Sequence, residues 1–96
     1  METAGKVALV TGGGGVLCSC MARALAECGA AVVVADRRIE AAEVVAEEIK
    51  KAGGRAMGVA CNVLERDSLE AANEATEAEF GPVDILVNGA GGNHPK

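Results

Sequence analysis

Four short apolar runs, at residues 6–11, 30–35, 55–61 and 83–88, are separated by segments in which apolar residues return every three or four positions. A short apolar run bounded by turn residues suits a strand buried on both sides. A 3.6-residue period suits a helix with one buried face. Leu17, Met21, Ala24, Leu25 and Cys28 fall at helical spacing before Gly29. Ile39, Ala42, Ala46, Ile49 and Ala52 repeat the pattern up to Gly53-Gly54, and Leu69, Ala72, Thr76 and Phe80 up to Gly81-Pro82. Strands that alternate with helices in this way predict an α/β domain, a parallel sheet with helices on both faces.

Right-handed crossovers restrict how such units stack. The expected fold is a Rossmann-like doubly wound sheet in the strand order 3-2-1-4, truncated after the fourth strand. At 96 residues the chain is one domain, residues 1–96, with modest stability expected from its size. Its net charge of −5 argues against a nucleic-acid surface. No apolar run approaches the roughly 18 residues of a membrane span. The start METAGKVALV has neither a basic flank nor a cleavage site, which predicts a cytoplasmic protein with reduced thiols. Cys18, Cys20, Cys28 and Cys61 form no CxxC pair, so they are expected to be small buried thiols rather than metal ligands.

The turn after the first run reads TGGGGVLC, residues 11–18. In the expected topology, Gly12 to Gly15 and residues 88–92 both lie at the carboxyl ends of strands where the strand order reverses. Ligands of open α/β sheets bind there. A strand, a glycine turn and a helix N-terminus offer backbone N–H groups and a positive dipole end to an anion. Glycines let a pyrophosphate approach without meeting a Cβ. Asp36, at the end of the second run, is placed to accept from ribose hydroxyls. The bland alternative is a flexible turn with a helix-capping Asp. A P-loop is a poor rival, because no Lys-Ser or Lys-Thr follows the glycines. A methyltransferase shares the glycine turn and the acid, but Asn88-Gly89-Ala90-Gly91 speaks against it.

With these residues in view, the whole chain resembles the short-chain dehydrogenase/reductase family. The family's TGxxxGxG turn matches Thr11 to Cys18, covering Thr11, Gly12, Gly14, Gly15, Val16 and Leu17. Its adenine-side Asp-Val matches Asn62-Val63, and its NNAG segment matches Asn88, Gly89, Ala90 and Gly91. TGGGGVLC and NGAGGNHPK together are most similar to the branch of D-mannonate oxidoreductases (fructuronate reductases), which implies a sugar-acid substrate. Val16 and Cys18 stand where the family pattern has glycines. Asn62 replaces an Asp that accepts from the adenine amino group, and an Asn carbonyl oxygen can do the same with its amide suitably turned.

The resemblance implies a dinucleotide cofactor, a small alcohol or carbonyl substrate and, in full-length relatives, homo-oligomers. Asp36 favours NAD by repelling a 2′-phosphate, and Gly14 supports this because NADP-using relatives often place a basic residue there. Arg37 is the complication, since a cation after the second strand can pair with that phosphate. The family's chemistry also needs a Ser on a fifth strand and a Tyr-x-x-x-Lys helix. This chain contains no Tyr and ends at Lys96, so no catalytic residue is assigned within it. The 96 residues alone are expected to show no turnover. A stand-alone nucleotide-binding or interaction module without catalysis is the other function class. His94 reads as a surface-loop residue, with a substrate contact as the alternative. Glu40, Glu43, Glu47, Glu48, Lys50 and Lys51 form a solvated helix face with an expected Glu47–Lys51 pair.

Overall fold

The computed structural model describes residues 4–12, 16–62 and 64–88, with Val16 and Leu17 described by their backbone alone. The chain runs β1 (Val7–Thr11), α1 (Val16–Glu27), β2 (Ala31–Asp36), α2 (Ile39–Lys51), β3 (Arg55–Ala60), α3 (Arg66–Glu79) and β4 (Ile85–Asn88). The strands form one sheet in the order β3-β2-β1-β4. Every neighbouring pair is parallel, as the alternation predicts. No described helix is long and apolar enough to cross a membrane.

VALVT and AVVVAD become the two central strands because both faces of each must be covered, and β-branched residues pack well on a pleated surface. Alternate residues divide between two cores. Ala8, Val10, Val32, Val34 and Ala56 face α1 and α2 and join Cys18, Ala22, Val45 and Ile49. Leu9, Val33 and Ala35 face the other way and meet Cys61 and Ala72, with Met57, Val59, Phe80 and Val83 packed around them.

Helix α2 has Glu40 in its first turn and Lys50 and Lys51 in its last, both complementing the macrodipole. It ends in a Schellman closure, in which Gly54 N–H donates to Ile49 O at 2.9 Å and Gly53 N–H to Lys50 O at 3.0 Å.

The structure corrects several sequence-level details. Met21, expected on the buried face of α1, is 41% exposed, and Ala24 is exposed too. Cys18, Ser19 and Ala22 are buried instead. Small residues win this face because they let the helix lie close to the sheet. Cys18 and Cys61 are buried as expected, whereas Cys20 is exposed and Cys28 half-buried.

Helix α3 begins at Arg66, one turn before the first apolar marker, and that marker, Leu69, is about a third exposed rather than buried. The regular part of β4 starts at Ile85 rather than at residue 83. Asp84 pairs with β1 in its own way: its N–H donates to Val7 O at 2.8 Å. Its carboxylate also takes the Val7 N–H at 2.9 Å, which a strand neighbour would otherwise accept. On α2, Glu47 meets Lys50 at 3.5 Å rather than Lys51. At the two ends of α2, Ile39 is half-buried and Ala52 exposed, while Phe80, the C-cap of α3, is half-buried against the second core as its spacing predicts.

Candidate functional site: the carboxyl edge of the sheet

The register fixes which residues share the carboxyl edge. Thr11 is level with Ala35 on one side and Asn88 on the other, and Asp36 is level with Ala60. Reading across the edge, the chain therefore presents Cys61 and Asn62, then Asp36, then Thr11 and Gly12, then Asn88. Neighbouring strands lie about 4.8 Å apart, so these four ends span about 14 Å. That is an elongated edge, suited to an extended ligand rather than a compact one.

At its centre, Gly12 turns the chain from β1 toward α1. Its φ of +72° is left-handed, a conformation that a side chain would strain. Its N–H donates to Ala35 O at 2.7 Å, which ties the turn to β2. Helix α1 starts at Val16, so its N-terminus opens toward this edge with backbone N–H groups lacking helical partners. Thr11 is almost fully buried. Its hydroxyl lies 3.0 Å from Asn88 Oδ1 and 3.3 Å from Val87 O, one proton shared between two acceptors. This pair locks the end of β4 to the end of β1 and holds the exposed Asn88 in place.

Asp36 is half-buried, and its Oδ1 accepts the Arg38 N–H at 3.0 Å. The contact is an Asx turn two residues on, and the N-cap of α2 is Arg38, which makes no side-chain cap. Asp36 is thus not the helix cap of the bland reading. Arg37, beside it, is exposed. Asn62 is held at three points. Its N–H donates to Ser68 Oγ at 2.8 Å, its carbonyl accepts from Glu65 N–H at 3.0 Å, and its Oδ1 accepts from Leu64 N–H at 3.0 Å.

Thr11, Gly12, Asp36, Arg37, Asn62 and Asn88 accordingly fall on one edge. Val16 and Leu17 open α1 beside them, their backbone placing them in its first turn. Gly14, Gly15, Val63, Ala90 and Gly91 lie outside the described residues. Sequence reasoning missed Arg38, Ser68 and Asp84, each of which positions a neighbour through a hydrogen bond. Asp-x-Arg and Asn-x-Leu, an Asx residue two before its donor, were the available signals. A groove of about 330 Å³ lined by Arg23, Ala26, Glu48, Ile49 and Gly54 lies elsewhere. It sits between the C-terminal parts of α1 and α2, next to the start of β3, and has no part in the carboxyl edge.

A glycine turn at a helix N-terminus, with an acid at the next strand end of a doubly wound sheet, defines a nucleotide-binding α/β protein. The comparison with known families is more specific. Residues 6–96 match the family described as short chain dehydrogenase, and the chain belongs to that family. It is 55% identical over 92 residues to the uncharacterized oxidoreductase UxuB of Bacillus subtilis (strain 168), covering 96% of this chain and 33% of that protein. Its fold superposes with a TM-score of 0.89 on a proposed D-mannonate oxidoreductase from Haemophilus influenza, solved with bound NAD. That match is 44% identical and covers 96% of this chain and 33% of the other. A metagenomic short-chain oxidoreductase in complex with NADP superposes at 0.80 with 36% identity, over 86% of this chain and 38% of its own. The chain spans about a third of the length of the curated relatives it matches.

Proposed function

We propose that this chain is the dinucleotide-binding part of an oxidoreductase, that it takes NAD in preference to NADP, and that the whole enzyme acts on a sugar acid of the D-mannonate or D-fructuronate class. The observation that carries the reading is the shared edge. Gly12 follows β1 on the way to α1, and Asp36 ends β2 next to it. The residues fit a dinucleotide in order. The turn from Gly12 through Gly14 and Gly15 to Val16 and Leu17 takes the pyrophosphate, and Asp36 takes the adenosine ribose hydroxyls. Asn62 and Val63 take the base, and Asn88, Ala90 and Gly91 lie toward the nicotinamide. Once bound, the nicotinamide supplies hydride exchange with an alcohol or carbonyl carbon.

What the chain itself does is bind and orient. Arg38 N–H holds the Asp36 carboxylate, and Thr11 clamps β4 to β1. The NAD preference rests on Asp36, a carboxylate that repels a 2′-phosphate, set against the exposed Arg37 that attracts one. The sugar-acid substrate rests on similarity to the Haemophilus protein and on the motif run TGGGGVLC. No Tyr is present to move the substrate proton, so the 96 residues are expected to bind without turnover. We place the enzyme in the cytoplasm and expect the whole protein to be a homo-oligomer.

Calorimetric or NMR titration with NADH and NADPH tests the cofactor assignment. NADH should bind about tenfold more tightly, a difference of about 1.4 kcal/mol. Asp36→Ala should bring the ratio to one or below. Tighter NADPH binding by the unmutated chain overturns the assignment. Steady oxidation of NADH with fructuronate, lost on mutating Gly12, would overturn the expectation that the 96 residues have no turnover.

A further inference from the structure

If the ribose lies at Asp36 on β2, the base falls one strand further out, over the end of β3, where Asn62 stands. The orientation of the Asn62 amide is fixed by chemistry. Leu64 N–H is a donor, so the atom 3.0 Å from it must be the carbonyl oxygen, Oδ1. The backbone of Asn62 is held on both sides, by Ser68 Oγ and by Glu65 N–H, and turning the amide over would set Nδ2 against the Leu64 N–H, donor against donor. The oxygen is thereby turned toward the loop, with one lone pair taken by Leu64 N–H, and Nδ2 is the end of the amide on the other side. Nδ2 has no partner among the described residues, and the side chain is only half-buried. The group left for a ligand is an NH2, two donors, where a carboxylate in the same turn would leave an acceptor oxygen.

We propose that Asn62 meets the purine edge as a hydrogen-bond donor, so that the site accepts hypoxanthine at least as readily as adenine in the dinucleotide. This rests on the dinucleotide reading above. Adenine offers an amino group at C6, which a donor cannot use, and ring nitrogens, which it can. Hypoxanthine offers the same N7 and, in place of the amino group, a carbonyl oxygen that accepts. An Asn62 donor therefore gains nothing from the amino group that distinguishes adenine. The expectation that Asn62 accepts from that amino group is replaced by the opposite polarity.

The test uses the isotope-labelled 96-residue chain, titrated with NAD and with nicotinamide hypoxanthine dinucleotide. The backbone signals of Gly12 and Asp36 and the side-chain NH2 signal of Asn62 are followed by NMR. Both nucleotides should move all three, with affinities within about threefold of each other. In Asn62→Asp, a carboxylate accepts from the adenine amino group and is repelled by the hypoxanthine oxygen. The ratio should then swing toward adenine by about tenfold. A tenfold adenine preference in the unmutated chain overturns the proposal, as does an Asn62 NH2 signal that stays still while Gly12 and Asp36 move. Stillness of all three signals with either nucleotide overturns the dinucleotide reading itself and this inference with it. The Asn62 NH2 signal is read in the unmutated chain, so that arm decides even if the variant folds poorly.

Discussion

The two faces of the sheet are built from the same strands but are covered very differently. On one face, α1 and α2 lie side by side, and Ala8, Val10, Val32 and Val34 are fully buried beneath them. On the other face α3 is the one helix among the described residues. It covers the row that Leu9 and Val33 share with Met57, and it stops short of Leu86, level with Leu9 on β4 and 64% exposed. One row of residues thus runs from full burial at its centre to open water at its end. Burial here is set by what lies over a strand and not by how apolar the strand is.

The comparison breaks most visibly by charging each end of it. Val34→Asp puts a carboxylate where nothing can pair with it, costing several kcal/mol against a total stability of about 5–10. The chain should lose its cooperative melt, as read by circular dichroism. Leu86→Asp, one row over, should change stability by less than about 1 kcal/mol. It should also reduce self-association, since β4 is an edge strand among the described residues, with an apolar residue facing solvent. If Leu86→Asp unfolds the chain as fully as Val34→Asp does, the two faces are equally covered and the contrast is wrong.

A finer cut compares adjacent residues of β3 that point to opposite faces. A Cβ on Gly58 would sit 3.1 Å from the Ala42 carbonyl carbon and from Glu43 N, and 3.2 Å from Ala42 O, all backbone atoms of α2. The helix lies so close that only a hydrogen fits. Gly58→Ala should therefore cost about 1–3 kcal/mol. Met57→Leu, facing the thinner layer under α3, should cost less than about 1 kcal/mol in the same denaturant titration. Equal costs would mean that α3 is packed as tightly on β3 as α2 is.

The difference between the faces also explains what could be read from the sequence. The order 3-2-1-4 follows from alternation and handedness, and the meeting of Gly12, Asp36 and Asn88 follows from that order. Neither needs atomic detail. The buried side of α1 was misread because periodicity weights Met21 above Cys18 and Ala22, whereas close helix–sheet packing selects for smallness. Asp84 reads in the sequence as one more strand residue, because a carboxylate standing in for a backbone acceptor leaves no trace in an apolar pattern. Which end of the Asn62 amide faces the loop depends on the backbone path to Leu64, which no motif encodes. Gly14, Gly15, Val63, Ala90 and Gly91 remain proposals from the motif, outside the described residues.

The smallest effect belongs to the ion pair that, among the described residues, crosses between the helices of the thicker face. Arg23 on α1 reaches Glu48 on α2, its Nε 3.0 Å from Glu48 Oε1 and its terminal nitrogen on the same oxygen. The hydrogen bond to Glu48 raises the Arg23 pKa above its ordinary value, with the Glu48 charge adding to it. A cation whose folded pKa is raised contributes stability below its unfolded pKa and loses it only as pH rises through the folded one. For Arg23 that window lies above any pH at which the chain is handled, so the pair should give no pH dependence between 5 and 9 on the arginine side. Both side chains are also nearly half exposed, 42% and 49%, and solvent screens them. Arg23→Gln should therefore leave the melting temperature almost unchanged, and raising salt should not separate the variant from the parent. A clear loss that salt abolishes would mean that the two helices are held together by charge across the groove at Gly54, and not by the packing of Ala22, Val45 and Ile49 beneath it.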